Sequence, residues 1–109
     1  MNPWIWLGLA IVVEVIGSGA LRASEGFTHL LPSAVMVAAY AATFFLLSQI
    51  LKSLPLGLTY AVWSGVGTAL TALVGWTIFR DAFHWSAVGG IALIILGVVI
   101  LYAGGAGHR

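Results

Sequence analysis

Four apolar runs, at residues 4–21, 30–51, 56–79 and 85–103, follow one another with short breaks between them. A helix that crosses a bilayer needs about 20 apolar residues, and each run has that length. Backbone groups cannot go unpaired in hydrocarbon, so runs this long must be helices. The breaks hold nearly all the polar punctuation: Arg22, Ser24, Glu25 and Gly26, then Lys52, Ser53 and Pro55, then Arg80, Asp81 and His84. Pro32 falls in the first turn of the second run, where its missing N–H costs little. Only 6% of the 109 residues are charged. Soluble domains carry roughly 25%, so most of the surface must face lipid. The reading is an all-α integral membrane protein: one domain, residues 1–109, of four transmembrane helices.

Several function classes fall away on composition. A net charge of +1 offers no electrostatic footprint for nucleic acid. With no Cys there is no disulfide framework and no thiolate metal site. His29, His84 and His108 sit in loops or the tail, without metal-ligand spacing, and read as interfacial. No nucleophile–base pair, paired carboxylates or phosphate loop is present, so an enzyme is not expected, nor a cofactor or metal. The N-terminus is not expected to be a cleaved leader: no Lys or Arg precedes the first run, and Glu14 interrupts it.

Short-loop Lys and Arg set the orientation of membrane helices. Arg22 and Arg80 fall on one side, Lys52 and Arg109 on the other. Each also suits a helix C-terminus, where a base complements the dipole. The tie leaves no preferred orientation, so copies are expected to insert both ways.

Glu14 is the exception among the charged residues, since all the others lie at run ends. An acid at mid-bilayer costs a few kcal/mol and is a functional candidate by default. No basic residue inside a run is placed to pair with it. The bland reading is a protonated Glu14 that holds two helices together. Helical spacing puts Leu7, Ala10, Gly17 and Ser18 on its face. Small residues there leave room for a bulky ligand or for a close helix contact. A carboxyl so placed holds a proton, or releases it and binds a cation.

Aromatic rings would complete a cation site. Tyr60 and Trp63, three apart, share a face of the third run, and Tyr40 stands mid-span in the second, followed by Phe44. A desolvated cation–π contact is worth up to about 2 kcal/mol. Trp4, Trp6, Trp85 and Tyr102 read instead as interfacial anchors. Gly65 and Gly67 mark a candidate bend or hinge, as Gly-rich spots allow. Gly90 and Gly97 lie one heptad apart on a stripe that suits close approach of a second helix, a candidate dimer contact.

The stretches Glu14-Val15-Ile16-Gly17-Ser18, Ser24-Glu25-Gly26-Phe27-Thr28 and Leu54 through Gly67 (LPLGLTYAVWSGVG) carry a likeness over nearly the whole chain. The chain resembles the small multidrug resistance family of proton-coupled exporters. The resemblance implies an antiparallel, dual-topology homodimer in the cell's inner membrane, with both Glu14 carboxylates in one site for protons and substrate. Protons are then the coupling ion. It also implies that Tyr60 and Trp63 line that site and that Tyr40, Ala10, Ile11, Gly17 and Ser18 shape it. Leu7 and Ser64 are counted with the lining, and Gly90 and Gly97 with the dimer contact. One branch of the family exports quaternary ammonium and polyaromatic cations; another exports guanidinium and typically has Trp three residues after the central Glu. Gly17 and Glu25 look like the first branch. Arg22 stands where Lys is usual, and Ser18 is smaller than the usual Thr. The alternatives are a guanidinium or small-polyamine exporter of the same fold, a small channel or proton leak, and a non-transporting assembly subunit.

Mapping the termini in cells is expected to find both on each side of the membrane. Two Lys added at one end should collapse this to one orientation, and a single fixed native orientation would refute the reading.

Overall fold

The computed structural model describes residues 2–106, Ala106 by its backbone alone. His108 and Arg109, read above as interfacial and as part of the charge tie, lie outside the described residues. Four helices follow in order: α1 (Pro3–Ala23), α2 (Leu30–Ile50), α3 (Leu56–Thr77) and α4 (Trp85–Leu101). A π-helical turn, Tyr102–Ala106, extends the last, and all four spans are long and apolar enough to cross a membrane. The chain divides into two hairpins, residues 1–50 and 51–109.

In the first hairpin, α1 begins where Asn2 caps it. The Asn2 side-chain oxygen accepts from Trp4 N at 2.9 Å, and Pro3 takes the first helical position. This satisfies one of the orphan N–H groups of a helix start. The helix runs past the expected Leu21 to Ala23 because Ser24 closes it. The buried Ser24 hydroxyl donates to Leu21 O at 2.7 Å and accepts from Phe27 N at 3.1 Å. Its carbonyl accepts from Thr28 N and His29 N. To wrap around this serine, Glu25, Gly26 and Phe27 all take left-handed backbone angles. Only Gly26 does so without steric cost. In α2 the buried residues Met36, Ala39, Thr43 and Ile50 recur at helical spacing. The Thr43 hydroxyl, buried in an apolar span, donates to Ala39 O at 2.8 Å.

In the second hairpin, α3 runs unbroken through Gly65 and Gly67, both buried. It stops at Thr77, short of the expected Phe79. Ile78 N and Phe79 N both turn back to Val74 O, and Arg80 takes a left-handed φ of 56°. Asp81 then folds onto the helix end. Its N–H donates to Gly75 O at 2.8 Å, and a Cβ on Gly75 would lie 2.7 Å from its Oδ2. Trp76, Phe83 and Trp85 stack edge to face across this loop, with centroids 4.8 and 5.2 Å apart. That arrangement suits ring quadrupoles. The α4 span is the most apolar of the four, yet none of its described residues from Trp85 to Leu101 is buried.

Candidate functional site

The predicted face of α1 is the buried one. Leu7, Ala10, Ile11 and Gly17 are buried, and Glu14 sits half-buried among them. Ser18, one turn beyond Glu14, donates its hydroxyl proton to Glu14 Oε1 at 2.8 Å. The same Oγ lies 3.1 Å from the Tyr40 hydroxyl of α2. Three polar side chains from two helices therefore form one connected chain.

The approach that permits this is set by Gly17. A Cβ there would lie 3.1 Å from Ala39 Cβ and 3.1 Å from Cδ1 and Cε1 of the Tyr40 ring. Helices in lipid gain no hydrophobic drive from one another, so such small-residue seams and interhelical hydrogen bonds carry the association. Tyr40 is half-buried, whereas Phe44 is 66% exposed and faces away from this packing.

On α3, Tyr60 and Trp63 touch edge to face, with centroids 5.0 Å apart at 80°. Tyr60 is exposed and Trp63 half-buried, so the pair presents an open aromatic surface. Thr59, beside them, is buried, and its hydroxyl finds no hydrogen-bond partner among the described residues. Sequence reading passed over it; the available signal was a hydroxyl inside an apolar span. Ser64 lies in a groove between α3 and α4, with Ala61, Gly65 and Thr68 on one wall and Ile94, Gly97 and Val98 on the other. A Cβ on Gly65 would come within 2.6 Å of Ile94 Cγ2, so this glycine is where α4 rests on α3. Gly90 and Gly97 are exposed, and a Cβ on either meets nothing within 4 Å.

Sequence reading placed Ser18 on the acid's face as a small residue and missed its donor role. The i, i+4 spacing to Glu14 was the signal. Glu25 and His29 pair at 3.2 Å, exposed in the first loop. Among the described residues no three His, Cys, Asp or Glu side chains gather to hold a metal.

The model of the small multidrug resistance protein family matches residues 2–94. The chain belongs to the small multidrug resistance family. It is 46% identical over 101 residues to the multidrug transporter EmrE of Escherichia coli, covering 93% of this chain and 92% of the relative. Against the quaternary ammonium compound-resistance protein QacE of Escherichia coli the identity is 45%, with the same coverage. The multidrug resistance protein EbrB of Bacillus subtilis is 46% identical, over 93% of this chain and 86% of its own. These relatives are a transporter and resistance proteins, not enzymes. Family and helices together make the chain a multi-pass membrane protein.

Gly17→Ala is expected to cost about 1–3 kcal/mol by overpacking the α1–α2 seam. Gly8→Ala, on the same helix with open space around it, should be neutral or stabilising. Unfolding of both variants in detergent measures the difference, and equal effects would remove Gly17 from the seam.

Proposed function

We propose that the chain is a proton-coupled antiporter that exports lipophilic, aromatic cations such as quaternary ammonium compounds. The observation that carries this is Glu14: a half-buried carboxyl in mid-span, among small residues, already holding a hydroxyl donor. Acids retained inside a span mark ion and proton pathways. The class of cargo rests on relatives named for multidrug transport and quaternary ammonium resistance, and on the open Tyr60–Trp63 pair.

Residue 17 supports the multidrug branch over guanidinium export. A methyl group there is already tight against Ala39 and Tyr40, so an indole has no room in this packing. Leu7, Ala10, Ile11, Gly17, Ser18, Tyr40 and Ser64 are assigned with Tyr60 and Trp63 to the pocket around Glu14.

Coupling follows from competition. A proton and a cation cannot both occupy one carboxyl, so protons entering down their gradient displace the cargo outside, and deprotonation inside readies the site again. Alternating access takes two shapes of one chain. An antiparallel homodimer supplies in two copies the inverted repeat that larger transporters encode in one. The bare α4 face, with Gly90 and Gly97 open, is where the second copy is assigned, and Gly65 and Gly67 are the assigned hinge. The inner cell membrane is the compartment in which such a pair meets a proton gradient.

In liposomes with an imposed pH gradient, wild-type protein is expected to drive tetraphenylphosphonium uphill, with phenylguanidinium a poor competitor. Glu14→Gln should abolish the coupled flux, while Glu14→Asp should keep it with a displaced pH dependence. Robust uphill transport by the Gln variant would refute the account. Saturation is the further check, since a pore gives flux without it.

A further inference from the structure

Ser18 stands between two groups on different helices, 2.8 Å from Glu14 Oε1 and 3.1 Å from the Tyr40 hydroxyl. A hydroxyl has one proton to give. Ser18 spends its proton on the carboxylate, so the second bond must run the other way, with Tyr40 O–H donating to Ser18 Oγ. With Glu14 ionised, the order of donation is therefore Tyr40 to Ser18 to Glu14.

Two further observations aim this chain. The Tyr40 ring is pressed against the Gly17 backbone, where a Cβ would lie 3.1 Å from two ring carbons, so its hydroxyl is held next to residue 18. Thr43, one turn further along α2, gives its proton to Ala39 O at 2.8 Å and does not compete. From Leu30 to Ile50, α2 carries no Asp, Glu, Lys, Arg or His, so Tyr40 is its one titratable group facing α1. On α1 itself, Arg22 lies two turns beyond Glu14 and is exposed.

We propose that Ser18 is a positioning residue that relays the Tyr40 hydroxyl to the Glu14 carboxylate, so that α2 sets how readily the acid gives up its proton for a cation. The inference rests on the reading of Glu14 as the shared proton and cation site. Its physical basis is that a hydrogen bond accepted by an ionised carboxylate is roughly twice as strong as a neutral one. When Glu14 is protonated the chain can reverse, Glu14 to Ser18 to Tyr40, with no heavy atom moved, but every bond is then neutral and weaker. The chain thus favours the cation-ready form. A donor two bonds away contributes because linked hydroxyls polarise one another.

The test is tetraphenylphosphonium binding to the full chain across pH 5–9, with a parallel drug-free titration of the Glu14 carboxyl by NMR. Ser18→Ala should move the half-maximal pH of binding upward by about one unit, or about tenfold in affinity below the midpoint. Tyr40→Phe, which keeps the ring, should move it the same way by less. The double variant should move it no further than Ser18→Ala alone, and Ser18→Thr should keep the wild-type midpoint. Additive shifts would show that Tyr40 acts without Ser18. Equal loss of affinity at every pH would make Ser18 merely structural; either result overturns the proposal. Glu14→Gln separates the two levels. If it binds with unchanged pH dependence, the shared-site reading fails, while the drug-free carboxyl titration still decides the relay by the same set of variants.

Discussion

A carboxyl in the middle of an apolar helix is the constraint on which the rest of this chain turns. Leaving Glu14 there costs a few kcal/mol, and nothing in the architecture of four spans requires an acid. What surrounds it is built to make either of its states tolerable. Ala10 and Gly17 keep the face narrow, Ser18 supplies a donor one turn away, and Tyr40 backs that donor from the neighbouring helix. The one base on α1, Arg22, is exposed two turns away at the helix end, and in the proposed mechanism a proton or a mobile cation neutralises the carboxyl.

The helices are joined by means that suit lipid. Water expels apolar side chains from itself, but lipid does not, and helices in a bilayer associate through close packing and hydrogen bonds. Gly17 lets α2 lie against α1, and Gly65 lets α4 lie against α3. Gly75 makes room for Asp81 to close the end of α3. Against these, α4 stands apart: it is the most apolar span, and none of its described residues is buried. Apart from its contact with α3 at Gly65, this helix offers the open apolar face to which the proposed second copy is assigned.

Much of this was legible in the sequence. The spans follow from run length and the ban on unpaired backbone in hydrocarbon, and their starts were placed within a residue. Their ends were harder, because C-termini are decided by short-range hydrogen bonds that hydropathy does not encode. Ser24 extends α1, and the N–H groups of Phe79 and Asp81, turned back to Val74 O and Gly75 O, end α3. The face around Glu14 was readable from spacing alone. The donor direction through Ser18 was not, since it depends on which hydroxyl of α2 comes opposite. Ser64, counted with the pocket lining, also lines the groove against α4, which no spacing argument within one helix could show.

Proton and cation are proposed to exchange on one carboxyl, that of Glu14. Adding tetraphenylphosphonium to weakly buffered protein near neutral pH and recording proton release tests this exchange most directly. Exchange on Glu14 should give release that saturates with the bound cation, shrinks as pH rises and the carboxyl is already ionised, and disappears in Glu14→Gln. Saturable binding with no proton released at any pH would contradict it.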